Sequence, residues 1–203
     1  ATTTKLSREH TVDRPAAGFV SIAGGKYTTY RVMGKDVVDR AAIELRKITQ
    51  ESVTEKLPLV GADGYFALEQ QKERIAQESG LDVETVTHLL NRHGSLISEI
   101  LELIEDQPKL AAKLDPDLPY IKAEIVYAAS HEGARSVDDV ISRRTRISFE
   151  AVNHGVYLAD EVAALIAPVL GWSAKERKES IAHYAELVDR ETAALDELLE
   201  VNS

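Results

Sequence analysis

The chain has 203 residues and a formal charge of −10 at neutral pH, with no cysteine. That length supports one good core or two small ones, and the missing cysteines exclude a disulfide framework or thiolate zinc site and fit a reducing compartment. The acidic balance argues against nucleic acid or an anionic membrane surface as the main partner.

In chain order, Lys5 to Asp13 reads as a strand and Arg14-Pro15-Ala16-Ala17-Gly18 as a connection into a second strand over 18–23. Gly24-Gly25-Lys26 follows, then a helix from Thr28 to Ile48, with Thr28 and Thr29 as caps. Its apolar face runs through Tyr30, Met33, Val37, Ala41, Leu45 and Ile48. Gly34 sits inside that helix at a cost of about 1 kcal/mol against Ala, so a close packing partner is expected there. Residues 49–64, with Pro58, Gly61 and Gly64, read as an extended connector. The rest is helical: 65–79 ended by Gly80, 83–92 capped by Asp82, 96–105 capped by Ser95, then 120–131, 137–149, 156–170 and 174–200. Ser136-x-x-Asp139 resembles a capping box and Ser173-x-x-Glu176 is a full one, opening a last helix with Ile181, Tyr184, Val188, Leu195 and Leu199 on its apolar face. The expected fold is mainly α, with about six to seven helices after a short β element. The domains are 1–50, a connector over 51–64, and an all-α part over 65–203. The longest uncharged apolar run, Val162 to Trp172, contains Pro168 and Gly171 and is too short to cross a bilayer. Nothing near Ala1 resembles a signal peptide, and a start on Ala1 in a strand-like segment reads as a piece of a longer protein.

Charge is unevenly spread. Residues 1–50 hold nine Lys/Arg against five Asp/Glu, so the remainder carries all of the acidity. The basic segment surrounds Gly24-Gly25-Lys26. Paired glycines permit positive φ or close ligand approach, the following helix start offers free N–H groups and a dipole, and Lys26 adds a full charge. A phosphate, a carboxylate or the electron-rich edge of a flavin would suit that spot. The same residues equally describe a tight strand-to-helix turn with a solvated lysine. A P-loop is excluded, because Val20 stands where its first glycine belongs and Tyr27 follows the lysine; no G-x-G-x-x-G occurs.

The six histidines (10, 88, 93, 131, 154, 183) show no ligand spacing, so no metal site is expected. Arg143-Arg144-Thr145-Arg146 in an acidic, aromatic-poor region reads as pairing with its own carboxylates rather than with nucleic acid.

Leu6-Ser7-Arg8-Glu9-His10, Ser21-Ile22-Ala23-Gly24-Gly25-Lys26-Tyr27-Thr28-Thr29-Tyr30-Arg31 and Arg143-Arg144-Thr145-Arg146 together resemble the C-terminal portion of FAD-dependent glycerol-3-phosphate dehydrogenases. The Gly-Gly-Lys-x-Thr-Thr-Tyr-Arg string is the specific one. The resemblance implies that 1–50 is the end of an FAD-binding domain and 65–203 the family's all-α domain. It implies oxidation of glycerol 3-phosphate to dihydroxyacetone phosphate by hydride transfer to FAD, with electrons passed to quinone, or to oxygen in the oxidase branch. Arg8 and Lys26 become active-site residues, and Gly24, Gly25, Lys26, Thr28 and Thr29 lie against the cofactor. FAD would be held mainly by a preceding part, the proton-accepting base would lie there too, and this piece alone would be inactive. His10 then stands as a strand residue beside the motif, and Tyr30 and Arg31 as a supporting layer. Expected partners are the substrate, an electron acceptor, the preceding FAD domain and a further copy of the chain. The expected location is the cytoplasm or the inner face of its membrane. The reading from a different class is a non-enzymatic acidic helical interaction module, which explains the helices but not the glycine turn.

Overall fold

A computed structural model describes residues 9–45 and 50–201, without the side chains of 44 and 195–201. The chain divides into two compact units, Ala1–Leu59 and Val60–Ser203. It is mainly helical, with one short antiparallel β element near its start.

In the first unit, strands β1 (His10–Ala16) and β2 (Phe19–Gly24) pair with His10 opposite Gly24, Val12 opposite Ile22 and Ala16 opposite Phe19. The expected connection over 14–18 is therefore mostly strand, and only Ala17-Gly18 turns. Pro15 is accommodated because the ladder is irregular between Asp13 and Ala16, where a missing N–H costs no regular bond. After the glycines a 3₁₀ turn, Tyr27–Thr29, leads into α1 (Tyr30–Glu44). Met33, Val37 and Ala41 are half-buried on one face of α1, but Tyr30 and Leu45 are exposed. Nothing described lies within 4 Å of where a Gly34 side chain would begin, so the expected close neighbour is not found. The end of that helix, including Ile48, lies outside the described residues.

The second unit packs its helices around two apolar clusters that share α6 (Lys122–Ser130). One cluster joins Ile125 and Ala128 of α6 to Val162, Ala163 and Ile166 of α8 (Ala159–Leu170) and to Tyr184 and Val188 of α9 (Ala174–Val201). The other joins Ala123 and Tyr127 to α3 (Lys72–Ser79), α4 (Val83–His93) and α5 (Ile97–Asp106).

Two expected helix starts are as read. Asp82 accepts from the Thr85 amide at 2.7 Å. Ser173 and Glu176 exchange both bonds of a capping box, at 2.7 and 3.3 Å. Several other expectations need correcting. The expected helix 65–79 is two, α2 (Tyr65–Glu69) and α3, bent at Gln70-Gln71 so that Leu68 and Ile75 both reach the same cluster. Ser95 caps nothing: its amide donates to Gly61 O at 2.8 Å and it lies in a 3₁₀ turn, so α5 starts at Ile97. Ser136 accepts from the Asp139 amide, but Asp139 reaches the Arg135 amide instead of returning to Ser136. The expected helix 137–149 is a π-helical segment, Asp139–Arg144, and a short α7 (Ile147–Glu150). Its interruption follows from Thr145, whose hydroxyl donates to the carbonyls of Val140 and Ile141 and whose amide bonds back to Val140 O. The expected helix 156–170 begins at Ala159, because residues 156–158, which follow the left-handed Asn153, His154 and Gly155, form a 3₁₀ turn. Among the described residues no helix is long and apolar enough to cross a membrane.

Candidate functional site

The turn between β2 and α1 gathers five of the six predicted site residues. Gly24 and Gly25 both have left-handed backbones, with φ of 82° and 88°, a conformation that costs a residue with a Cβ about 1–2 kcal/mol. The chain itself fills the space beside them. A Cβ on Gly24 would meet Glu9 O at 2.8 Å, and one on Gly25 would meet Met33 Sδ at 2.5 Å. The turn therefore needs both glycines for its own closure.

Lys26 is extended, and Thr29 folds back onto it. The Thr29 amide and hydroxyl each donate to Lys26 O at 3.0 Å, while Thr29 Oγ1 accepts from the Lys26 amide at 3.4 Å. Thr29 thus secures the turn, and neither it nor Thr28 provides a side-chain cap for α1. The amides of Tyr27 and Thr28, at the open end of the 3₁₀ turn, donate to no backbone carbonyl among the described residues. The Lys26 ammonium is exposed and has no hydrogen bond or ion pair with any described residue. A cation and two unused amides at one helix entrance form a donor set suited to an anion or an electron-rich ring edge.

Neighbouring side chains brace this entrance. His10 lies beside the turn, its Cβ 3.3 Å from where a Gly25 Cβ would stand, and its Nε2 is 2.7 Å from Asp36 Oδ2 on α1. Tyr27 is 93 % exposed and stacks loosely on Tyr30, with ring centres 6.2 Å apart. Arg31 donates from Nε to the Tyr30 hydroxyl at 3.0 Å and from a terminal nitrogen to Thr54 O, tying α1 to the segment after it. Arg8 lies outside the described residues.

In the helical unit, two of the three arginines of the run face carboxylates as expected, and Arg144 takes a backbone carbonyl instead. Arg143 bonds Asp138 and Asp139, Arg146 lies 3.7 Å from Glu150, and Arg144 donates to Glu132 O at 2.8 Å. Sequence reasoning missed Glu124 altogether. Its side chain is 1 % exposed and accepts from the Ile121 amide at 2.9 Å, His88 Nε2 at 3.0 Å and His93 Nε2 at 3.2 Å. Arg92 Nε stands 3.5 Å away, close enough for charge attraction although not aligned for a hydrogen bond. Burial pushes the carboxyl's pKa up, but the histidine and amide donors outweigh it and hold the group at about 2. With its oxygens spent on the protein, Glu124 braces α4 against the start of α6. The only sequence signal was its place three residues after the residue preceding α6, where a glutamate can reach back to the amide.

Comparison with known proteins bears on both units. The family model for the C-terminal domain of alpha-glycerophosphate oxidase matches residues 52–177. Glycerol-3-phosphate dehydrogenase 2 of Mycobacterium tuberculosis is 48 % identical over 189 residues, covering 93 % of this chain and 32 % of that protein. A mitochondrial glycerol-3-phosphate dehydrogenase of Arabidopsis thaliana is 31 % identical over 92 % of the chain and 32 % of its own length. A probable mitochondrial glycerol-3-phosphate dehydrogenase of Caenorhabditis elegans is 31 % identical over 93 % and 26 % respectively. The chain thus spans about a third of the length of these curated relatives, and an aligned stretch of 189 residues must include the glycine-lysine turn. With well over half of its residues matched by that model, the chain belongs to the alpha-glycerophosphate oxidase C-terminal domain family.

Proposed function

We propose that this chain is the C-terminal portion of an FAD-dependent glycerol-3-phosphate dehydrogenase, with residues 1–50 completing the cofactor domain, 51–64 connecting, and 65–203 forming the helical domain. The observation that carries the reading is the Lys26 turn, which keeps an unspent ammonium beside unspent amides at a helix entrance, within the stretch shared with relatives named as glycerol-3-phosphate dehydrogenases. When bound, FAD supplies the acceptor for the hydride leaving C2 of the substrate. The residues here suit one side of that group and not its whole binding site, since no dinucleotide fingerprint is present.

Lys26 and the Tyr27 and Thr28 amides stabilise negative charge, either on the substrate phosphate or on the ring edge that gains charge as hydride arrives. The two amides are already oriented by the turn that the Thr29 bonds close and act without reorganising, while the Lys26 side chain adds a full charge. Gly24 and Gly25 act by setting the turn that presents Lys26. Arg8 supplies a guanidinium for the phosphate or the reacting hydroxyl. The base that takes the hydroxyl proton lies in the preceding part of the enzyme, so this chain alone is inactive. The electrons would pass from the bound flavin to a quinone. Oxygen is the second reading, supported by the oxidase name of the matching family.

The test is Lys26→Ala in the complete enzyme. Its side chain supports no other described group, so flavin content and thermal stability should be unchanged while kcat/KM for glycerol 3-phosphate falls roughly 10²- to 10³-fold. Wild-type kinetics would refute the role. Parallel assays with a quinone analogue and with oxygen separate the two acceptors.

A further inference from the structure

Gly25 is clamped from two sides. A Cβ there would lie 2.5 Å from Met33 Sδ on α1 and 3.3 Å from His10 Cβ on β1, and His10 stands opposite Gly24 in the strand ladder. Asp36, one helical turn beyond Met33, closes the clamp, because its Oδ2 is 2.7 Å from His10 Nε2. An ionised carboxylate has no proton to give, so Nε2 donates. Lys26 is the next residue in the chain.

Two observations set this bond apart from an incidental surface pair. It joins groups 26 residues apart, and the His10 side chain is only 19 % exposed, against 44 % for Asp36, so water is kept from the histidine end. The turn also has little else to hold it in place. No described residue of the first unit is fully buried, Met33, Val37 and Ala41 are half-buried, and no side chain caps the start of α1. The Thr29 bonds close the turn upon itself, which leaves its position against β1 to be set by other contacts. A directional bond from β1 to α1, with Gly25 held between its two ends, sets that position.

We propose, on the reading of Lys26 given above, that His10 and Asp36 are positioning residues: their bond keeps Gly25 seated and so fixes where the Lys26 ammonium and the Tyr27 and Thr28 amides meet negative charge. The pair acts through the turn and not on the reacting atoms. A partly exposed pair of this kind contributes little energy of its own, so its effect lies in geometry. Preorganised donors lose much of their effect when they are displaced by about 1 Å.

The test uses the complete enzyme. Asp36→Ala should lower kcat/KM for glycerol 3-phosphate about tenfold, and Asp36→Asn, whose amide oxygen still accepts from Nε2, should recover most of that loss. In a Lys26→Ala background Asp36→Ala should cost less than about threefold, because only the two amides are left to position. The Thr29 amide, which donates to Lys26 O, reports on the turn independently of turnover. Its hydrogen exchange should be about tenfold faster in Asp36→Ala and return toward the wild-type rate in Asp36→Asn. His10→Leu keeps a side chain against Gly25 and removes the donor; it should reproduce both changes, and it decides the question should Asp36→Ala fail to fold. Wild-type kinetics in Lys26→Ala would refute the reading of Lys26 and this proposal with it. Impaired Lys26→Ala beside unchanged Asp36→Ala and His10→Leu would overturn the positioning role alone. So would an equal loss from Asp36→Ala with and without Lys26, or Thr29 exchange that no variant alters.

Discussion

Glu124 holds a negative charge where almost no water reaches it, and it does so because three donors converge from two elements: the Ile121 amide at the start of α6, and His88 and His93 of α4. Removing one member of such a cluster is costlier than never having built it, because the rest remain buried and unpaired. Glu124→Ala should therefore destabilise the chain by about 3–5 kcal/mol, read as a shift in the urea midpoint. The pH dependence has a definite sign. The folded-state pKa, about 2, lies below the ordinary value of 4.5, so this stabilisation is complete above about pH 4.5 and drains as pH falls toward about 2. A urea midpoint that drops across that window in the wild type, and drops less in Glu124→Gln, is the expected result. Legibility fails here for a physical reason. Its histidine partners lie 31 and 36 residues away in the chain, a distance no local pattern spans. The glycine-lysine turn was legible because its parts are contiguous. Arg8 belongs to the same reading but lies outside the described residues.

At the scale of elements, the sequence located helices well where their ends are made locally, as with Asp82 and the Ser173-Glu176 box. It misplaced those whose ends are set from afar. Gly61 O takes the Ser95 amide, Tyr120 Oη takes the Arg146 amide at 2.9 Å, and each claims a group that a local reading assigns to a cap or a continuing helix. The Gly61 contact makes a sharp test. A Cβ on Gly94 would lie 2.0 Å from Gly61 O, against backbone that cannot swing aside, and its φ of 59° with ψ of −133° is glycine territory. Gly94→Ala should cost at least about 3 kcal/mol in thermal or chemical denaturation, a clash and a backbone strain together. Gly34→Ala works in the opposite direction. Gly34 lies within α1 with open space around it, so the 203-residue chain should gain about 0.5–1 kcal/mol of helix stability. A loss in the complete enzyme alongside a gain in the isolated chain would mean that another part of the polypeptide packs against Gly34.

At the scale of the whole molecule, the two units differ in what they bury. The second contains every described core residue, from Ile75 to Val188. In the first, no described residue is fully buried, and Phe19, Val32, Val38, Ile43 and Leu45 are exposed. A small unit that buries little apolar surface has little to offset the entropy of ordering its chain. Its opening free energy should therefore lie well below that of the helical unit. Trypsin supplies the measurement, since Lys26, Arg31, Lys35 and Arg40 place cleavable bonds throughout the first unit. Brief digestion of the 203-residue chain should cut within the first unit first and leave a resistant fragment that retains the helical unit. Amide exchange in β1, β2 and α1 should likewise finish before α4, α6 and α8 lose their protons. In the complete enzyme the same four sites should resist, because the proposed cofactor domain would cover the exposed side chains of β2 and α1. Equal protection of both units in the 203-residue chain would show that β1, β2 and α1 are stable without that cover, and would remove this support for reading residues 1–50 as the end of a larger domain.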